Sequence, residues 1–373
     1  SNIFNAGYPI NGSTSAPTIG FDAASFGNPL AQWETTTSNN LGFDAKMFNN
    51  RVTLELDVWN RTTSDVLLQV PITFSAGDAS PPAFNIGEVS NKGIDLGLSY
   101  SGNVGKFSYD IGGNISTYRN EVVALNDPSA RIFGFGSRVP SMTVTQAGLP
   151  ISSYFGFQTD GIFQSQAEAD AHAPYSNYNA PGKFRFRDVN EDGIINDDDR
   201  TIIGNPHPDF TYGINISVSY DAFDLNIFGN GSQGNDVFNY TRFFADFNTF
   251  QGNRSKRSLY EAWQPSNPTA PREQWVAANP NATSPIMDAN DQISNQVTDY
   301  LIEDGSFFRI RNIQLTYTIP QVLRSKLGLG NLKVYLQGQN MFTFTGYTGL
   351  NPEIQSNADT TIGFDGGYMP VSK

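Results

Sequence analysis

Cysteine is absent from this sequence, which rules out disulfides and thiolate metal sites. Charge is scarce, with 16% of residues being Asp, Glu, Lys or Arg, against roughly 25% in an average soluble domain. Basic charge is scarcer still, 23 Lys and Arg against 36 acids for a net charge of −13. No basic stripe of the kind a phosphate backbone needs is present, which argues against nucleic acid as a partner. No run of eighteen apolar residues exists, so no helix is expected to span a bilayer. The only histidines, His172 and His207, have no neighbouring ligand at metal spacing and read as surface residues. The sequence opens at Ser1 without a starting Met or a signal peptide, and reads as a mature or internal segment.

What is present is aromatic and turn-rich: 13% of residues are Phe, Tyr or Trp, with 35 Gly and 21 Pro. The apolar period is two almost throughout, which predicts strands. Val52, Leu54, Leu56 and Val58 share one face against Thr53, Glu55 and Asp57. Phe43, Ala45 and Met47 precede them; Ile94, Leu96, Leu98 and Tyr100 follow, and then Phe107, Tyr109, Ile111 and Ile115. Phe210 to Tyr220 alternates at even positions, and Phe223, Leu225 and Ile227 at odd ones. Ile313, Leu315, Tyr317 and Ile319 form the next strand, and Leu332, Val334, Leu336, Phe342 and Phe344 the last. Helical stretches are few, and 320–328 is the best small candidate.

Connection lengths alternate. Asn49-Asn50 and Asp221-Ala222 are tight turns, 101–106 is short, and a modest turn holding Pro320 joins 319 to 331. The other links, about 61–90, 118–207 and 234–305, are longer than compact soluble domains usually carry. Short turns at one rim and long loops at the other are the pattern of a membrane barrel. Several strands reach the ~9–11 residues that cross a bilayer when tilted. Trp59, Tyr100, Tyr118, Tyr220, Tyr317, Phe342 and Phe344 lie near strand ends, where an interfacial girdle belongs. The expected fold is therefore all-β, a portion of a large transmembrane antiparallel β-barrel with short periplasmic turns and long extracellular loops. The alternative is a secreted soluble β-sandwich, an adhesin or carbohydrate-binding protein with a calcium loop, because sandwich strands alternate too.

The calcium expectation rests on Asp188-Val-Asn190-Glu-Asp192-Gly193-Ile194-Ile-Asn196-Asp-Asp-Asp199. Side-chain oxygens at positions 1, 3 and 5, Gly at 6 and a backbone carbonyl at 7 follow an EF-hand loop. The expected ligands are Asp188, Asn190, Asp192, Ile194, Asn196 and Asp199, within a loop spanning 182–205. Position 12 is Asp instead of Glu, a shorter arm that makes bidentate closure harder, and no flanking helices are evident. Six carboxylates between 188 and 199 repel one another unless something neutralises them; without an ion, the segment is an acidic solvated turn.

Other motifs carry less. Gly229-Asn-Gly231-Ser-Gln-Gly234 spells a dinucleotide fingerprint, but Asp224 and Asn226 interrupt the strand before it, and a Rossmann strand is apolar on both faces. Those glycines read as a bend, or as positions that keep the lumen side slim. Glu55, Asp57, Asp95 and Asp110 recur along strand faces as a polar lumen wall would, with no nucleophile–base pair, so an enzyme is not expected. The stretch 238–275 carries Phe238, Tyr240, Phe243, Phe244, Phe247, Phe250, Tyr260, Trp263 and Trp275. These suit stacking on sugars, docking a partner, or packing on one another.

From about residue 29 onward the chain resembles the C-terminal barrel of SusC-like TonB-dependent transporters of Bacteroidetes. The stretches that carry the resemblance include Asn28-Pro29-Leu30, Trp33-Glu34-Thr35, Asn91-Lys92-Gly93-Ile94-Asp95-Leu96 and Gly112 to Ser116. Asp188 to Arg200, Ile203 to Pro206, Pro208 to Gly213, Phe307 to Asn312 and Val334 to Phe342 continue it in order. The resemblance implies a plugged barrel of the 22-stranded kind in the outer membrane of a Gram-negative bacterium. It further implies import of a glycan or peptide, a SusD-like surface lipoprotein as lid, and energy from TonB. The plug, the TonB-contacting segment and the early strands of that family have no counterpart here. Nor has a final aromatic-ended strand beyond Tyr368, Pro370 and Lys373, so 1–373 is expected to be a barrel segment short at both ends.

Overall fold

The computed structural model describes residues 3–6, 21–25, 27–69, 82–136, 139–247, 252–291, 293–326, 328–354 and 360–367. Phe250, Tyr368, Pro370 and Lys373 lie outside them. Eight long strands form one sheet: β1 (Thr35–Met47), β2 (Val52–Ser64), β3 (Gly87–Val104), β4 (Phe107–Leu125), β5 (Phe210–Tyr220), β6 (Phe223–Gln233), β7 (Phe307–Thr318) and β8 (Lys333–Thr345). Every neighbouring pair is antiparallel and the spatial order is the chain order, a plain meander.

Three of the turns at one rim are tight for local reasons. Phe48, Asn49 and Asn50 all take left-handed φ, as does Asp221 in the two-residue turn closing Tyr220 onto Phe223. β3 runs on to Val104, so its turn into β4 is the two residues Gly105 (φ +62°) and Lys106, four fewer than 101–106 suggested. The fourth connection holds the expected helix, α1 (Gln321–Lys326). At the opposite rim the long links fold into an organised body. Its pieces include an antiparallel sheet of Ile132–Gly136, Val139–Thr145, Ser153–Gly156 and Thr201–Gly204. A second sheet joins Ile302–Asp304, Asp236–Asn239 and Phe364–Asp365.

Burial separates the two regions. In β3 the apolar Ile94, Leu96, Leu98 and Tyr100 are exposed, while Asp95, Gly97 and Ser99 between them are half-buried. Leu98 is 54% exposed and Leu336 of β8 is 77% exposed. The buried hydrophobic clusters lie elsewhere. One fills the loop body with Phe157, Tyr178, Phe184, Phe186, Phe238, Phe243, Trp263 and their neighbours. A smaller one, Leu68, Ile86, Val89, Val122, Leu125 and Ile132, sits where the upper ends of β3 and β4 enter that body. Among the described residues no second sheet covers the apolar face of the wall.

Candidate functional site

The wall has an apolar outer face and a polar inner one, because register pairs like with like across every strand. One outward row reads Phe43, Leu56, Leu96, Ile115, Tyr212, Gly231, Phe308 and Phe344. A register shift between Ile310 and Asn312 leaves Phe308, Ile310, Ile313 and Leu315 all outward. Two aromatic belts bound the band. Tyr212, Phe308 and Phe344 stack at the loop-side end, with centroid spacings of 5.7 and 6.4 Å. Tyr100, Phe107, Tyr109, Phe223 and Tyr317 cluster at the turn-side end. Tyr212 and Tyr220 are eight residues apart on β5, ~26 Å along an extended strand. Tilted by ~40°, that is ~20 Å of height, which fits within the ~25 Å apolar band of an outer-membrane barrel.

Three sequence expectations change here. Trp59 and Tyr118 belong to the inner face and not to the girdle, because each lies one residue out of phase with its apolar row. The indole of Trp59 lies against Gly93, where a Cβ would come within 2.4 Å of the ring, and its Nε1 donates to Asp95 Oδ2 at 2.8 Å. Gly229 and Gly231 face outward and not toward the lumen; a Cβ on them would meet the rings of Phe308 and Tyr212. Their smallness lets those rings lie flat across β6.

The inner face holds the carboxylates, and register sets Asp57 opposite Asp95. They turn apart, Asp57 accepting from Asn40 Nδ2 at 3.0 Å and Asp95 from Trp59 and Ser116. Two inward arginines were not singled out from sequence. Arg309 donates to Glu353 Oε2 (3.0 Å) and Arg311 to Glu353 Oε1 (2.6 Å), pinning the strap after β8 to the wall. Their alternation within Phe307–Asn312 is legible, but Glu353, more than forty residues on, is not. A cavity of about 440 Å³ is lined by Asn114, Phe228, Asn230, Ser232, Pro352 and Glu353. A larger one, about 940 Å³, follows the loop-side edge of β1–β4, with Trp59, Tyr118 and His207 from the inner side and Lys92 and Arg119 from the outer.

His207 is not a free surface residue. Its Nε2 lies 3.0 Å from the Ile151 carbonyl and its Nδ1 3.2 Å from Tyr118 Oη. A carbonyl only accepts, so Nε2 carries the proton and Nδ1 accepts from the tyrosine. Burial lowers its pKa against the raising effect of the Ile151 carbonyl. His172, half-buried, has its Nδ1 3.1 Å from the Ala173 carbonyl and its ring edge-on to Phe163.

The aromatics of 238–275 pack on one another. Phe238, Tyr240, Phe243, Phe247 and Trp263 are buried, and Tyr260, exposed, is the exception. Arg242 sits 3.9 Å from the Tyr300 ring centroid and pairs with Asp246 and Glu303 at 3.2 and 3.3 Å. Burial pushes the Tyr300 hydroxyl up to about 12.

The segment 188–199 closes on itself. Asp188 Oδ2 accepts from Gly193 N at 2.8 Å. Asp192 Oδ1 accepts from Ile194 N at 2.9 Å, and Asn190 Oδ1 from Asp192 N at 3.1 Å. Asn196 caps a 3-10 turn, Asp197–Asp199, through Asp198 N at 2.7 Å. Asp199, fully buried, holds Val189 N and Asn196 N with its two oxygens at 2.9 and 2.8 Å. The first motif position thus holds the sixth, and the twelfth holds the second and ninth. Ile195 anchors the loop in the aromatic core, while Ile194 points outward. Asp188 Oδ1 is buried without a hydrogen-bond partner. Among the described residues no three acidic or histidine side chains converge as a metal-holding group, because most of these oxygens face backbone amides.

An eight-stranded meander, greasy on one face, polar on the other, belted by aromatics and crowned by a folded loop body, is the wall of an outer-membrane β-barrel. The β-barrel family of TonB-dependent receptor-like proteins matches residues 1–231, and the chain belongs to that family. TonB-dependent receptor P3 of Formosa agariphila is 31% identical over 356 residues, 92% of this chain and 34% of that protein. TonB-dependent receptor SusC of Bacteroides thetaiotaomicron is 27% identical over 337 residues, 89% of this chain and 31% of that one. A structure of the RagAB peptide transporter superposes with a TM-score of 0.73 at 22% identity, covering 98% of this chain and 36% of that chain. The chain spans about a third of the length of the curated relatives it matches. Its place is the outer membrane, and the soluble sandwich is not favoured.

Proposed function

We propose that this chain forms wall and extracellular loops of a TonB-dependent importer of a glycan or peptide, working with a SusD-like surface lipoprotein and doing no covalent chemistry. The observation that carries the reading is the inverted burial of β3, apolar side chains out and polar ones half-covered. Only lipid outside and a watery or plugged lumen inside make that arrangement stable. Kinship to SusC and likeness to a RagAB peptide transporter support the partner and the substrate classes. Deleting the full-length gene should abolish growth on one glycan or peptide source, and a tagged full-length protein should copurify a surface lipoprotein. Unimpaired growth on every such source, with no lipoprotein recovered, would sink the proposal.

Within it, loop 182–205 takes a calcium ion as a structural brace. The oxygen spacing of Asp188, Asn190, Asp192, Ile194, Asn196 and Asp199 supports this, as does the unpartnered Asp188 Oδ1. An ion there offsets the entropy of ordering a long loop. Chelation with EDTA should raise protease cleavage within 182–205 and leave the barrel folded; Asp188→Asn should do so without chelator. Unchanged cleavage in both cases would remove the ion from the account.

A further inference from the structure

Toward the loop body the outward rows of β1–β4 turn from apolar to cationic. The row Leu41, Val58, Ile94 and Thr117 is apolar apart from its threonine. One outward step further stand Asn39, Asn60, Lys92 and Arg119, paired strand to strand in the same register. Lys92 and Arg119 are direct cross-strand partners and both are exposed. Like charges placed opposite each other on a sheet repel. Their protein counter-charge is thin: Glu121 lies 3.9 Å from Arg119 with both side chains open to solvent, and Lys92 makes no ion pair among the described residues.

The position of the pair matters as much as its charge. Thr117 Oγ1 donates to the Asp209 carbonyl at 2.7 Å, which sets that row level with the start of β5. Arg119 and Lys92 therefore stand just beyond the apolar band, on the face that meets lipid and at the extracellular rim. Their long alkyl stems can lie along the apolar row while the cationic heads reach headgroup level. Elsewhere in the wall cations point away from lipid: Lys46, Arg61, Arg309 and Arg311 share the inner face, and Lys106 pairs with Asp221 in the turns.

We propose that Lys92 and Arg119, flanked by Asn39 and Asn60, form a binding site for the phosphate of an outer-leaflet glycolipid. The guanidinium supplies a planar fork for phosphate oxygens, the ammonium a second charge, and Leu41, Val58 and Ile94 below offer a bed for acyl chain. The site depends on the outer-membrane location alone, so it stands or falls separately from the import proposal.

The test uses full-length protein in a neutral detergent, titrated with a bisphosphorylated lipid A, with the same lipid after phosphatase treatment, or with inorganic phosphate. Thermal unfolding is the readout. The phosphorylated lipid should raise the midpoint of the wild type, and the double variant Lys92→Gln/Arg119→Gln should need about thirtyfold more lipid for the same shift. Lys92→Arg/Arg119→Lys, which keeps both charges, should respond nearly as the wild type does and shows that the site tolerates substitution. An equal shift with dephosphorylated lipid, or an unaltered response of the glutamine variant, overturns the proposal. A full shift with inorganic phosphate alone overturns the lipid assignment.

Discussion

The eight-stranded wall and the loop body bury their side chains in opposite senses. In the wall, Leu98 and Leu336 lie open while Asp95 and Ser99 are half-covered; in the body, Trp263, Phe238 and Tyr178 are sealed and Tyr260 stands outside. The difference teaches which solvent each region meets. A continuous band of outward apolar side chains is stable against lipid, whereas the sealing of aromatic side chains in the body is driven by surrounding water. The junction is marked by the small cluster around Val89 and Val122, where β3 and β4 leave the band and enter the body.

Substitutions break this comparison in a graded order. Trp263→Ala empties the centre of the body, where the indole packs near Gly182 and Trp275 and donates to Gln164. It should cost ~3–5 kcal/mol, read as faster hydrogen exchange in 153–186 and 236–303 with wall amides unchanged. Leu98→Arg, in mid-band, should cost ~2–4 kcal/mol of barrel stability in lipid. Ser99→Arg, one residue away on the inner face, should cost far less. Equal losses for the two in denaturant titrations from lipid vesicles would contradict the assignment of the faces.

The smallest expected effect concerns pH at the junction. Burial lowers the pKa of His207, so the folded state disfavours its protonation. Its stabilising contribution is present above the ordinary histidine pKa and is lost as pH falls through that value. Protection factors of amides around 205–209, which correct for the slower intrinsic exchange at lower pH, should therefore fall between about pH 7 and pH 5, and His207→Gln should flatten the dependence. A profile that is flat in the wild type would refute the coupling.

Much of the wall was legible because a period of two needs only the local chain. The eight alternating stretches became the eight strands, and Asn49-Asn50 became the turn that its tolerance of positive φ suggests. Extents were less legible: β3 and β4 run on to Gly87 and Leu125, but the polar stretches 90–92 and 119–121 interrupt the apolar period before Val89 and Val122 resume it. Trp59 and Tyr118 were misassigned because nearness to a strand end says nothing about phase. The loop aromatics left three readings open, and only long-range packing chose self-association, for example Phe184 against Tyr300 at 5.1 Å. The motif ending in Asp199 was visible as a spacing, but its burial and its grip on Val189 and Asn196 were not.

By itself the sequence determined the strand period, the short turns, the lack of a spanning helix and the acidic loop motif, since each is set within a few residues. Tertiary structure decided which face of the sheet is covered, how the long links fold into one body, and that Lys92 meets Arg119 across two strands. Those outcomes depend on register and on contacts between residues far apart in the chain, and a local pattern of side chains carries no record of either.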